Sequence, residues 1–419
     1  MISKYNIHKK VIADVIVAGG GTSGVFAAIA AARTGAKTIL IEKNSILGGT
    51  ITAASVNFPG LFFAWGKQII SGPCWEAIEK TIKLGGAEMP KISFKPQKHW
   101  QEQIKLNRFI YTAVLFEMCR ESGVTLITNS MISAAEESST GVNLIITEKT
   151  GLIEANAKMV IDATGDANLV TIAGYETVKS SAQQPATLQN HISGYDFNKV
   201  DTIEIKERIK SAALPEHINA DRLISYLRDH KIDMHIPCVD ADTSEGKTKL
   251  EQKTYTSYIQ VYNFLKSIKG LENLNVDFAA EETGVRETAR IVGETTVTAE
   301  DYITGFMYPD SICYAFYPID LHVLNGIKQK FHPENTVSKI PYRALIPKGS
   351  KYILCAGRCI SSDSYANSAV RVQAVCMATG QAAGCAATLA ACKGTASNGV
   401  SYDELCKSLK AINAIVPEK

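Results

Sequence analysis

The sequence predicts an α/β fold in which a parallel-sheet nucleotide-binding domain is interrupted by an inserted α+β region. Three observations predict it. The N-terminus reads strand, glycine turn, helix, strand; a strand ending in a small-residue turn returns at residues 352–358; and between about 173 and 344 the composition shifts to charged helical stretches and aromatic strands.

Residues 14–18 (Asp-Val-Ile-Val-Ala) have the β-branched run of a buried parallel strand. Gly19-Gly20-Gly21-Thr22-Ser23-Gly24 follows at once and satisfies G-x-G-x-x-G. Gly19 serves the tight turn, Gly21 a close backbone approach to a pyrophosphate, and Gly24 the close packing of helix on strand. A helical pattern runs through Val25, Phe26, Ile29 and Ala32 to Gly35, opening near Thr22 and Ser23 so that its free N–H groups and positive dipole end face the phosphates. Residues 38–41 then form a second strand ending on Glu42, 18 residues after Gly24, close to the roughly 20 expected of an acid on a ribose hydroxyl pair. Glu42, with Lys43 beside it, is therefore expected at the adenosine. This is a Rossmann-like unit, and it does not choose between FAD and NAD(P), which share the adenosine ribose and pyrophosphate.

Later segments carry the discrimination. Gly48-Gly49-Thr50 is a small-residue loop that lets backbone amides meet phosphate or flavin. Residues 160–166 read as a strand ending in Ala163-Thr164-Gly165, with Asp166 beyond it, and residues 352–358 as a strand ending in Ala356-Gly357-Arg358. With the G-V-R-E-x-x-R-I-V-G-E segment at 284–294, the Asp320-x-His322 element and the A-G-R-C-I-S block at 356–361, the chain resembles the FAD-dependent oxidoreductases of the glutathione-reductase-like and fumarate-reductase-like superfamily, and most of all the bacterial group known simply as FAD-dependent oxidoreductases. The resemblance runs from residue 14 to about 392. It implies FAD as cofactor, a β-meander crossover from the alternating strands at 142–147 and 152–155, adenine near Met131 and Ile132, and a C-terminal block that returns to complete the flavin site. The expected organisation is an FAD-binding part over 1–172, an inserted substrate-facing domain over 173–344, a second FAD-binding part over 345–395 and a C-terminal helix or tail over 396–419.

A flavin performs hydride chemistry itself, so few catalytic side chains are expected. Arg286 and His322 are the candidates to face substrate: the first to clamp a carboxylate, the second to exchange a proton near neutral pH. Each has a structural alternative, Arg286 paired with Glu281, Glu282 or Glu287 and His322 merely hydrogen-bonded. A helix from Ser368 to about Ala391 is expected to aim its N-terminus, with Ser368, Ala369 and Val370, at the pyrimidine edge of the flavin. Cys355 and Cys359 are expected as two buried thiols and not as a specified disulfide. No cysteine pair follows Gly48-Gly49 and no second G-x-G-x-x-G follows a strand, so a disulfide-reductase dithiol and a dedicated NAD(P)H domain are not expected. The electron donor or acceptor stays open: the substrate, a docked partner or a visiting nicotinamide.

With 44 basic and 42 acidic residues, the chain has no global field for nucleic acid or an anionic membrane, which leaves a small molecule as the expected partner. The ten cysteines contain no CxxC pair and no zinc-site spacing; they suit reduced cytoplasmic thiols and no metal. The apolar run at 11–18 is too short for a membrane span and leads into the glycine turn. That at 366–392 carries Arg371, Gln373 and Gln381 and reads as a buried helix. Two other function classes remain open at this point: an NAD-dependent dehydrogenase, and a non-redox flavoprotein such as an isomerase or hydratase.

Overall fold

The computed structural model describes residues 7–92, 96–238, 240–324 and 326–418. The strand Ile7–Ala18 is central to its main sheet, because from Val15 onward both faces of the strand are apolar and buried. It pairs in parallel with Thr38–Glu42 on one side and Gly151–Asp162 on the other. Thr125–Thr128 extends the sheet beyond Thr38–Glu42, and Ile353–Cys355 adds in parallel to the end of Gly151–Asp162. This is a doubly wound parallel sheet whose strand ends Ala18, Ile41, Asp162 and Cys355 lie in register, and ligands of such sheets bind beyond these carboxyl ends.

Gly151–Asp162 is long enough to join the parallel strands to an antiparallel extension of the same sheet. Its first half pairs antiparallel with Val142–Glu148, which pairs with Met131–Glu137. That is the meander expected from the alternation at 142–155, and it brings Met131 and Ile132 beside the end of the parallel sheet.

The helix Gly24–Arg33 lies against the long helix Gln373–Lys393, and glycines on the latter permit the closeness: a Cβ at Gly380 would stand 2.2 Å from the Ser23 carbonyl oxygen and one at Gly384 2.2 Å from that of Ala27. Gln373–Lys393 is apolar around its whole circumference because it is enclosed on all sides. Among the described residues it is the one helix long and apolar enough to cross a membrane, and 89% of its apolar window is buried inside the protein.

The expected helix start at Ser368 is corrected. Residues 364–370 form a separate short helix, Ser364–Val370, and the long helix begins at Gln373 after an extended Val372. Tertiary bonds decide the break: the Ala374 N–H donates to the Pro59 carbonyl at 2.7 Å, and the Gln373 side chain to that of Val56 at 2.8 Å. The apolar sequence on either side carries no proline or glycine to announce it.

Of residues 173–344, those between Ala186 and Leu274 form an apolar core of their own around the helices Ala220–Arg228 and Ser244–Lys266. Those between Val297 and Ile346 share the main core with the Rossmann helices. These two helices are among the charged helical stretches expected between 173 and 344. Thr298 caps the helix Ala299–Thr304, its hydroxyl accepting from the Asp301 N–H at 3.1 Å.

Candidate functional site

Beyond the carboxyl ends of the parallel strands lies a cavity of about 700 Å³ that runs from Glu42 to Arg286 and His322. Its first end is made by backbone. The glycine turn is closed by the Gly19 N–H donating to the Ile41 carbonyl at 2.7 Å, and the loop at 48–50 is laid over it by the Gly48 N–H donating to the Gly20 carbonyl at 2.9 Å. A Cβ at Gly24 would stand 1.8 Å from the Gly19 carbonyl oxygen and one at Gly49 2.8 Å from the Gly21 Cα, so neither position admits a side chain. A Cβ at Gly21 would meet only the Gly49 Cα, at 3.8 Å; otherwise it would stand in the cavity. This is the cradle a pyrophosphate requires.

Glu42 is buried, and its carboxylate accepts from the Gly20 N–H at 2.6 Å and the Asn44 N–H at 2.7 Å. Burial pushes its pKa up against these bonds and the nearby Lys43. The turn at 162–166 is tied by Asp162, whose carboxylate accepts from the Thr164 N–H, the Thr164 hydroxyl and the Val170 N–H at 3.0, 2.7 and 3.0 Å. Arg358 reaches across from the C-terminal block and donates to the Gly165 carbonyl at 2.7 Å, to the Val285 carbonyl and to the Asp166 carboxylate. One guanidinium thereby joins three segments that stand far apart in sequence.

The second end is made by side chains from distant segments. Arg286 donates through Nη1 to the Pro185 carbonyl at 2.6 Å and the Thr187 hydroxyl at 3.0 Å. The glutamates that could have neutralised it are engaged elsewhere: Glu281 with Arg108, Glu282 nearest Lys43 and Lys247, and Glu287 with Arg290. Arg371, from the break between the two C-terminal helices, also lines this end. It reaches the Gln184 side-chain oxygen and the Asp320 carbonyl only at 3.4 Å each, and its Nε is buried without a partner. Burial lowers the pKa of both guanidiniums; for Arg286 the like charge of Arg371 adds to it.

The charge of Asp320 acts on both guanidiniums. Burial alone would raise its carboxyl, but the hydrogen bonds from His322 at 3.0 Å and Gln329 at 2.8 Å, with the field of Arg371, outweigh it and hold the pKa below the usual value. An ionised Asp320 makes His322 Nε2 the protonated nitrogen, leaving Nδ1, buried and unpartnered, as the ring's proton-accepting atom. Burial pushes the His322 pKa down to about 4, against the raising effect of Asp320. The expected exchange near neutral pH is thus shifted: His322 is neutral there, with Nδ1 as its open acceptor position.

The chain matches the family model described as FAD dependent oxidoreductase over residues 14–409. It belongs to that family. Membership makes FAD the cofactor and redox chemistry the enzyme class, and the cradle described above fits that cofactor. Among relatives, a thiamine thiazole synthase of Methanococcus vannielii is 25% identical over 168 residues, 38% of this chain and 58% of that protein. The chain thus spans well under two thirds of that relative. The mitochondrial dihydrolipoyl dehydrogenase of Caenorhabditis elegans is 58% identical over 38 residues, 9% of this chain and 8% of that protein. Among solved structures, a geranylgeranyl bacteriochlorophyll reductase-like protein of Thermoplasma acidophilum aligns over 96% of this chain and 84% of its own at 14% identity and a TM-score of 0.45. CabE, an aromatic hydroxylase from angucycline biosynthesis, aligns over 96% and 66% at 12% identity and a TM-score of 0.49.

Set against this cavity, the expected cofactor residues divide. Gly19, Gly21, Thr22, Ser23, Glu42, Lys43, Gly49, Thr50, Met131, Ile132, Ala163, Thr164, Gly165, Asp166 and Arg358 line it, as do both expected catalytic residues, Arg286 and His322. Gly24, Gly48 and Gly357 lie just behind, where they allow close packing; a Cβ at Gly357 would stand 2.5 Å from the Ser23 hydroxyl. Ser368, Ala369 and Val370 are buried in the last turn of the short helix and do not line the cavity. The Ser368 hydroxyl instead accepts from the Asp320 N–H at 3.0 Å, so it positions the acid beside His322. The residues beside the cavity at the start of the long helix are Val372, Gln373 and Cys376. Cys355 and Cys359 are buried thiols 3.1 Å apart. Sequence reasoning missed Arg371, Asp320 and Tyr317 as site residues. The signals were a lone arginine within an apolar run and the acid two residues before His322.

Proposed function

We propose that this FAD-dependent oxidoreductase binds FAD with the adenosine at Glu42, Lys43, Met131 and Ile132 and the pyrophosphate over Gly21 and Gly49, and that it oxidises or reduces a small molecule held at Arg286 and His322. The observation that carries this reading is the continuity of one cavity from the glycine turn to those two side chains. When bound, FAD supplies the two-electron acceptor or donor. The chain's own residues do the rest. Arg286, held by Pro185 and Thr187, orients the substrate. Asp320 fixes the His322 tautomer, and Nδ1 accepts the proton released as the substrate is oxidised, or returns it in the reverse direction.

On this reading the partner is a small molecule, with neither nucleic acid nor membrane involved. The electron donor or acceptor is the substrate, a docked protein or a visiting nicotinamide. A cytoplasmic location is part of the same proposal, supported by ten cysteines that are all unpaired thiols. The test is the FAD content of the purified protein, followed by anaerobic spectra during a screen of small metabolites. Bound FAD bleached by members of one chemical class is expected. A protein that neither carries nor takes up FAD overturns the reading.

A further inference from the structure

The charges at the substrate end do not balance. Arg286 and Arg371 bring two positive charges, Asp320 one negative charge, and His322 none. No carboxylate among the described residues lies within 4 Å of either guanidinium. The more distant acids that act on them, Asp233 and Glu287, are paired with Lys231 and Arg290 at 2.6 and 2.7 Å. His235, packed against His322 with ring centroids 5.3 Å apart, is also neutral, its pKa pushed by burial to about 4. An enclosed site with one uncompensated positive charge is costly until a counter-charge enters.

From this imbalance we infer that the substrate carries a carboxylate with one net negative charge, and that Arg371 is the group that recognises it, with Arg286 and the Tyr317 hydroxyl completing the contact. The inference rests on the preceding reading of this end of the cavity as the substrate end. Arg371 is the less satisfied guanidinium: two hydrogen bonds at 3.4 Å and a buried Nε without a partner leave its planar fork available. A carboxylate matches that fork two oxygens to two N–H groups. Tyr317 accepts from the Gln103 side chain at 3.2 Å, which leaves its own O–H to donate, and burial pushes its pKa up to about 12, so it keeps that proton. Gln184 sets the register of the cluster: its side-chain oxygen faces both Arg371 and the His322 N–H, while its NH₂ donates to Glu287 at 3.3 Å.

The experiment is a titration of the FAD-loaded and the FAD-free protein at matched ionic strength. The probes are acetate and benzoate, set against the neutral acetamide and benzamide and against inorganic phosphate. Flavin difference spectra report binding to the loaded protein, and the melting temperature reports it for both. The expected result is that the two carboxylates bind and their amides do not, with a dissociation constant raised at least tenfold by Arg371→Gln and by a smaller factor in Arg371→Lys, which keeps the charge and loses the fork. Amides binding as tightly as acids, or an unchanged constant in Arg371→Gln, would overturn the inference. Phosphate outcompeting the carboxylates would also overturn it. So would an Arg371→Gln that shifts the flavin midpoint potential while leaving carboxylate binding intact, because the arginine would then serve the anion of reduced flavin. The FAD-free arm keeps failure of the cofactor assignment separate from failure of this one. Should Arg371→Gln not fold, Arg371→Lys and the acid-amide comparison on the parent still decide.

Discussion

The two ends of the cavity are built on opposite principles. At the glycine-turn end the buried or cross-linking charged side chains already have partners within the protein: Glu42 is bonded to two backbone N–H groups and Arg358 to Gly165, Val285 and Asp166. At the other end Arg286 and Arg371 lack carboxylate partners, while Arg371 Nε and His322 Nδ1 are buried without any. The first end is finished before a ligand arrives and offers shape and backbone donors. The second is left incomplete in charge and hydrogen bonds, and so discriminates by what a ligand brings.

The sharpest way to break the first end is Gly24→Ala. Its Cβ would stand 1.8 Å from the Gly19 carbonyl oxygen, so the turn or the helix must move. The expected outcome is loss of FAD binding, measured by cofactor retention on gel filtration; full occupancy would show that the turn is not the cradle. The second end rests on Glu287, fully buried, which pairs with Arg290 at 2.7 Å and anchors Gln184. Glu287→Gln should cost about 3–5 kcal/mol, because it leaves a buried charge uncompensated. Denaturant unfolding checks this, and a loss under about 1 kcal/mol would show the pair to be dispensable.

Arg286→Ala should slow turnover roughly 10²-fold, the cost of a lost charge-assisted contact to the reacting molecule. Rapid-mixing flavin reduction at equal FAD occupancy measures it, and an unchanged rate would return Arg286 to a structural role. A smaller effect per group concerns pH. His235, His322 and His332 each have a pKa pushed by burial to about 4, below the ordinary imidazole value of 6.5. The unfolded chain therefore binds more protons than the folded one between those values. Stability is full well above pH 6.5 and falls toward pH 4, by about 2 kcal/mol at most for each of His322 and His332 between pH 7 and 5 and by less for the more exposed His235. Stability measured by urea unfolding that stays level over this range would contradict the burial of all three.

The contrast also explains what could be read from the sequence. The glycine-turn end is encoded locally: strand, turn, helix and acid are contiguous within residues 14–42, and each motif carries its geometry with it. The meander was legible for the same reason, since period-two alternation around the turn at 148–151 specifies neighbouring strands. The substrate end draws on Gln184, Arg286, Asp320, His322 and Arg371, which only tertiary structure assembles. Arg286 and His322 stand in family-like segments, and Asp320 stands two residues before His322 in the same Asp-x-His element. Arg371 was visible only as a charge in an apolar run. The start of the long helix was misplaced because bonds from Val56 and Pro59, over 300 residues away in sequence, set the break at 371–372.

The division of labour is tested most directly by the dissociation constant for FAD, from flavin fluorescence quenching, in the parent, Glu42→Ala and Arg286→Ala. The predicted result is affinity weakened about tenfold or more in Glu42→Ala, consistent with a lost charged hydrogen bond, and unchanged within twofold in Arg286→Ala. FAD held by Glu42→Ala as tightly as by the parent, or released by Arg286→Ala, would contradict the assignment of cofactor to one end and substrate to the other.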